Sequence, residues 1–437
     1  MGINQQIKPK TTKRTDELYI GGCNLTDLAK KYGTPLYVID ETSLRGICRE
    51  YKNAFREYDN IKMTYASKAL CNLAVSKILI DEGFGFDTVS AGEIYTVYKA
   101  GADMSTVTFN GNNKSIEEIE LALDLNVGRF SVDNFYEAEL LNKIAENKNK
   151  KADILLRITP GIECHTHEYI KTGQTDSKFG FDLSQTDEII LLIMNKYPNL
   201  SLKGLHAHIG SQIFENKSYE DEIEILIKEL VRIKHKHGLE LNELNIGGGL
   251  GVKYTDKDNP PSIEEFGKTV VNALEKCRNK YNIEPLALYI EPGRSIISTA
   301  GVTLYTMGSS KQVPNGKKYV SVDGGMADNP RPITYQAEYF AEIANNIEGR
   351  KDEKVTIAGK YCESGDILIE DIILPEPEAG DILCVYNTGA YNYSMASNYN
   401  RSRKPAMVLV NNSQSDMIVT RESLDDLVRL ENIPDRL

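Results

Sequence analysis

The chain has 437 residues, 41% of them hydrophobic, and a formal net charge of −12. That length exceeds one ordinary core and points to two domains, while the acidic balance argues against a general attraction to nucleic acid or anionic membrane. No stretch approaches the roughly 20 apolar residues that span a bilayer, and seven cysteines without a C-x-x-C pair read as reduced thiols of a cytoplasmic protein, not as a disulfide framework.

The first 16 residues lack an apolar signal core and read as a mobile polar arm. In the segment 17–44, PLYVID (35–40) has the pattern of a strand, expected to be lent to a β domain at the other end of the chain. Eight short apolar runs follow: MTYA (63–66), FGFDTV (84–89), VTFN (107–110), RFSV (129–132), ADILLRI (152–158), LKGLHAHI (202–209), ELNIG (243–247) and LYIEPG (288–293). Segments with apolar residues three and four apart lie between them, as amphipathic helices require. Eight strand-helix units over 45–295 predict a (β/α)8 TIM-type barrel, whose active site lies at the C-terminal ends of its strands. Lys68, Asp87, Asn110, Asp133, Arg157, His208, the glycines from Gly247, Glu291 and Arg294 are placed there. Residues 159–184 show no period and suggest a substrate-side lid containing His165 and His167. After Glu291 come β-type runs split by Gly, Pro and Asp clusters, so 296–437 is expected to form a C-terminal β domain. The fold class is α/β plus β.

Three features of the rim carry chemistry. Lys68 directly follows an apolar strand, where it reads either as a surface lysine lying along apolar surface or as an amine able to form a Schiff base with an aldehyde. The run Gly247-Gly248-Gly249-Leu250-Gly251 follows the seventh strand and Gly293-Arg294-Ser295 the eighth, the two loops between which barrel enzymes frequently hold a phosphate; a tight turn without ligand is the alternative. A dinucleotide fingerprint fails because Val252 stands where its third glycine belongs. Glu291 ends a strand and either pairs with Arg294 or faces a pyridine nitrogen, keeping it protonated. Lysine, phosphate loops and acid together match pyridoxal 5'-phosphate. The six histidines fall in H-x-H pairs. His206 and His208 share one face of a strand, where stacking on a planar cofactor fits better than a metal; His235 and His237 read as solvated helix surface. No metal is expected. Cys362 lies in the β domain, remote in sequence from the rim.

In order and spacing, YASKA (65–69), HTHEYIKTG and SKFGF (165–173, 177–181), HIGSQ (208–212), GGGLG (247–251), EPGRS (291–295), VDGGM (322–326), RPxxY (331–335), CESGD (362–366), GAY (389–391) and SNYN (397–400) resemble the fold-type III pyridoxal-phosphate decarboxylases from about residue 17 onward. The resemblance implies an alanine racemase-like arrangement of barrel and β domain. It implies that Lys68 carries the cofactor, that His208 stacks on its ring and that Glu291 faces the ring nitrogen. Asp87 is counted among the cofactor's contacts, and Ser211, Gly248, Gly293, Arg294, Ser295 and Tyr391 hold its phosphate. Arg294, Arg331, Tyr335, Glu363 and Tyr391 would bind substrate. Cys362 would be the proton donor, reaching the site with Glu363 from the other subunit of a homodimer. The implied reaction converts meso-2,6-diaminopimelate to L-lysine and carbon dioxide; decarboxylation of D-lysine, ornithine, arginine or carboxynorspermidine is the alternative. A racemase would need bases on both cofactor faces, where this chain offers Cys-Glu-Ser, and a non-catalytic relative would be expected to lose Lys68 or Cys362. Leu70 and Ile333-Thr334 depart from the family's usual residues, which bears on substrate shape and not on reaction class.

Overall fold

The computed structural model describes residues 2–6, 9, 11–14, 16–162 and 177–437, so His165, His167 and the middle of the expected lid lie outside the described residues. Two compact units divide the chain: one holds the start up to Gln5, Arg45–Val252 and Asn259–Ile296, the other Gln6–Leu44, Lys253–Asp258 and Ile297–Leu437.

Eight strands of the first unit form a closed barrel: β1 (Ile61–Ala66), β2 (Gly85–Thr88), β3 (Val107–Phe109), β4 (Arg129–Val132), β5 (Ala152–Thr159), β6 (Leu200–His206), β7 (Glu243–Asn245) and β8 (Ala287–Ile290). Each pairs in parallel with the next, and β8 returns to β1. The runs are apolar and nearly continuous because a parallel strand is covered on both faces; six of the eight residues of β5 from Ile154 onward are buried without interruption. The helices between them start on polar caps. Asn72, Ser90 and Asn134 each accept a backbone N–H, and Ser115 with Glu118 and Ser262 with Glu265 form capping boxes. Each cap ends a loop leaving the strands' C-terminal ends, which fixes the rim that carries the functional groups. A buried ion pair strengthens it further: Lys114 Nζ lies 2.6 Å from Glu137 Oε1 and also donates to the carbonyls of Gly111 and Ser131, tying the loops after β3 and β4.

The second unit is built on a long strand, Gly301–Gln312, which pairs antiparallel with Leu36–Asp40, Lys318–Val322 and Ile382–Tyr386. Ala406–Asn411 runs parallel to Leu36–Asp40 on its other edge. Leu36, Val38, Val302, Leu304, Cys384, Tyr386 and Val408 pack as its core. A strand from the start of the chain therefore sits between strands from residues 301 and 406.

Two expectations change. The N-terminal arm is not free throughout. Asn4 is completely buried, its Nδ2 donating to the carbonyls of Gly251 at 3.2 Å and Pro261 at 2.7 Å. A side-chain amide so placed satisfies two loop carbonyls that would otherwise need water. His237 is not solvated surface either: its Nε2 lies 2.6 Å from Asp187 Oδ1 and its side chain is 5% exposed. Among the described residues, no helix is long and apolar enough to cross a membrane.

Candidate active site

Lys68 lies on a single turn, Ser67–Ala69, directly after β1, with its side chain exposed. Ala66, the last residue of β1, donates its N–H to the carbonyl of Pro292 at 3.2 Å, which fastens the lysine turn to the loop after β8. At the end of the neighbouring strand β8, Glu291 is 6% exposed and holds three side-chain bonds. Oε1 accepts from Asn245 Nδ2 at 2.7 Å and Asn110 Nδ2 at 3.4 Å, and Oε2 lies 3.1 Å from His206 Nε2. Burial alone would raise this carboxyl; the contact with His206 and the Asn245 amide outweigh it and hold the group below the usual carboxylate range. Glu291 does not pair with Arg294, so that alternative falls.

Asp87 shares the same cluster through Asn110, whose Nδ2 donates to Asp87 Oδ1. Burial and the charge of Glu291 push Asp87 well above the usual carboxylate range, against the opposing charge of Lys68. Two buried acids are thus driven apart: Glu291 toward the charged form, Asp87 toward the neutral one. Arg157 at the end of β5 stacks on Phe179, 4.3 Å from its ring centroid, with Nε 3.9 Å from Asp133 Oδ1. His208, two residues beyond β6, accepts the N–H of Gly248 at Nδ1, 3.3 Å away. Burial, Lys68 and Arg157 push this ring well down, leaving it a neutral face.

The two glycine-bearing loops approach each other where no side chain fits. A Cβ at Gly248 would stand 2.1 Å from the Glu291 carbonyl, and one at Gly293 2.9 Å from Ala66 Cβ. Arg294 reaches Ser211, whose Oγ accepts from Nε at 3.3 Å and Nη2 at 3.1 Å. An arginine, a serine hydroxyl and bare backbone at converging loops suit a phosphate. The hydroxyl of Ser295, by contrast, is bonded to Tyr51 at 2.6 Å, so the backbone of Ser295 is what that residue offers to a ligand.

The remaining expected residues lie in the second unit. Arg331 opens the short helix Arg331–Tyr335 and is 6% exposed; its Nη1 donates to the hydroxyls of Tyr254 and Tyr339, both at 2.9 Å. Cys362 and Glu363 are exposed, with the Cys362 N–H held by Asn400 Oδ1 at 3.0 Å. A cavity of about 620 Å3 brings these two segments together, lined by Pro332, Gln336 and Tyr339 on one side and Ser364 and Gly365 on the other. Tyr391 takes a left-handed backbone conformation, φ 61°. Sequence reasoning missed Asn245, Tyr254 and Tyr339 altogether and gave His206 no partner. Asn245 alone left a signal, an amide two residues before the glycine run.

Residues 44–298 match the pyridoxal binding domain of the pyridoxal-dependent decarboxylases. Diaminopimelate decarboxylase of Synechocystis is 48% identical, covering 99% of this chain and 94% of that protein, and the Bacillus subtilis enzyme of that name is 46% identical over 95% of each. Among solved structures, diaminopimelate decarboxylase of M. jannaschii in complex with L-lysine is 32% identical, covers all of both chains and superimposes with a TM-score of 0.92. The Helicobacter pylori enzyme with L-lysine is 33% identical, covers 93% of this chain and 98% of that one, and has a TM-score of 0.86.

Proposed function

The chain belongs to the pyridoxal-dependent decarboxylases, and from that premise we propose that it converts meso-2,6-diaminopimelate to L-lysine and carbon dioxide in the cytoplasm. One observation carries the cofactor reading. Glu291 is a buried anion whose only side-chain partners are two amides and an imidazole, with no lysine or arginine paired to it among the described residues. A buried anion held only by hydrogen-bond donors still lacks a counter-ion, and burial makes the arrival of one favourable. The protonated pyridine nitrogen of pyridoxal phosphate is a cation of the right kind, and the remaining groups accept the rest of that molecule. Lys68 Nζ would anchor its carbonyl carbon, His208 would lie against its ring, and Ser211, Arg294 and the Gly248 and Gly293 backbones would receive its phosphate. When bound, the cofactor supplies an electron sink for the pair left on the carbon from which carbon dioxide departs.

The chain's own groups do the rest. Glu291 keeps the ring nitrogen protonated, so that the sink stays deep. Lys68 Nζ yields its place to the substrate amine and retakes it when product leaves. Arg331 is the mirror case of Glu291, a buried cation held by two tyrosine hydroxyls, and would receive the distal carboxylate, with Glu363 taking the distal ammonium. Cys362 Sγ would return a proton to the carbon that lost its carboxylate. Cys362 and Glu363 would come from the second subunit of a homodimer, a reading supported by their exposure in a unit separate from the barrel.

The test is carbon dioxide release from a panel of diamino acids, with chiral analysis of the amine product. Loaded protein should absorb near ~420 nm, as expected for a lysine-bound pyridoxal group. Borohydride should fix the cofactor to Lys68 alone. Protein that stays colourless in excess pyridoxal phosphate would refute the assignment.

A further inference from the structure

Glu291 is aimed by residues from three other strands or their ends, and only one of them titrates. Asn245 is oriented without ambiguity: its Oδ1 accepts the N–H of Gly247 at 2.9 Å, so its amide nitrogen faces Glu291 Oε1. Asn110 uses its amide nitrogen on Asp87 and Glu291 together. Oε2 depends on His206, which is 1% exposed, and the other ring nitrogen, Nδ1, is buried with no hydrogen-bond partner among the described residues. An imidazole with one nitrogen against a carboxylate and the other bare has one sensible state: Nε2 carries the proton and Nδ1 the lone pair.

We propose that His206 is a positioning residue which, as a single neutral tautomer, donates Nε2–H to Glu291 Oε2 and so holds that carboxylate charged and aimed at the ring nitrogen of the bound cofactor. The inference rests on the pyridoxal phosphate reading of the site. The surrounding groups fit it. Lys68 and Arg157 disfavour an imidazolium, and burial acts in the same direction, against Glu291. Burial and the charge of Glu291 push both Asp87 and Glu222 well up, and Glu222, completely buried, has no hydrogen-bond partner on either oxygen among the described residues. His208 is neutral. Glu291 is therefore the acid of the cluster held toward its charged form, and His206 is the only donor on its second oxygen among the described residues. Removing that donor leaves a buried lone pair whose cheapest remedy is a proton, and a protonated Glu291 no longer supports a protonated pyridine.

His206→Phe deletes the donor and keeps a flat ring; His206→Gln restores an N–H at similar reach. In His206→Phe, pyridoxal phosphate should bind the apoenzyme about 10- to 100-fold more weakly, the range expected for losing a hydrogen bond to a charged group. The pH midpoint of the bound cofactor's absorption band should move, and kcat should fall while KM stays within about twofold, because the substrate's distal groups are bound elsewhere. His206→Gln should recover most of each loss. In wild-type apoenzyme carrying 15N-labelled histidine, the resonances that vanish in His206→Gln should show a protonated Nε2 and a bare Nδ1 near neutral pH. A doubly protonated ring overturns the proposal. So does a His206→Phe protein that binds and titrates pyridoxal phosphate like wild type, or a folded His206→Gln protein as impaired as His206→Phe. Should the phenylalanine variant not fold, His206→Ala compared with His206→Gln gives the same decision. Wild-type protein that never takes up pyridoxal phosphate would instead sink the cofactor reading, while the nitrogen spectrum still reports the tautomer.

Discussion

Replacing Arg331 by methionine keeps an unbranched side chain of similar reach and deletes the guanidinium. In the native protein that group lies 5.0 Å and 5.8 Å from the ring centroids of Tyr254 and Tyr339 and donates a hydrogen bond to the hydroxyl of each. Burial disfavours its charge, the two tyrosines outweigh that, and no carboxylate pairs with it among the described residues. If the distal carboxylate of the substrate completes this site, a substrate without it leaves a buried cation unpaired, a loss of roughly 3–5 kcal/mol. Expressed in rates, meso-diaminopimelate should exceed either enantiomer of lysine by about two to three and a half orders of magnitude in kcat/KM. In Arg331→Met the ratio should collapse toward unity, mainly through loss on diaminopimelate, because lysine never used the charge. The assay is initial-rate release of labelled carbon dioxide from each substrate with wild type and variant. A ratio in Arg331→Met that matches wild type would show that selectivity resides elsewhere, however far the absolute rates fall.

Three further outcomes are expected. Lys68→Ala and Cys362→Ala should each be nearly inactive, but subunits refolded together in equal amounts should regain about a quarter of wild-type activity, since half the dimers then hold one intact site; mixed dimers proven by mass spectrometry that remain inactive would reject the shared site. Asp87 has a folded pKa raised above its ordinary value of 3.8, so it favours the folded state below that value and this contribution is lost as pH rises through the folded pKa. Asp87→Asn apoenzyme should therefore gain stability over wild type as pH is raised above about 4 in urea melts, and a pH-independent difference would contradict the raised pKa. Asn4→Ala removes both loop contacts of the N-terminal segment and should destabilise the protein by about 1–3 kcal/mol in the same melts; an unchanged midpoint would show that this segment contributes nothing to the barrel.

What was legible in the chain and what was not divides along a physical line. Groups that act from a loop of fixed local geometry advertise themselves: the lysine two residues after MTYA, the glycine run, and the glutamate within LYIEPG each sit beside the strand end that presents them. The same is true of the barrel, because eight doubly covered strands must be apolar and short. Partnerships across the barrel leave no such trace. Asn110, His206, Asn245 and Glu291 lie far apart in sequence at the ends of β3, β6, β7 and β8 and meet only because the ring closes, and none of them needs a distinctive local pattern to do so. Local reasoning therefore offered Glu291 the nearest arginine, Arg294, three residues on, whereas the structure turns that arginine to Ser211. The Arg331 site was hidden for a related reason. Tyr254 belongs to the six-residue stretch Lys253–Asp258, which packs with the second unit although residues on both sides of it belong to the first. Asn4 failed differently: a polar run at a chain end reads as solvent-facing, and only the carbonyls of Gly251 and Pro261, some 250 residues away, give its amide a reason to be buried. In each case the sequence marks the residue that does chemistry, while the groups that set its charge are chosen by closure of the fold. Those groups, His206 foremost, are where substitution should change the chemistry of the site without touching any of its motifs.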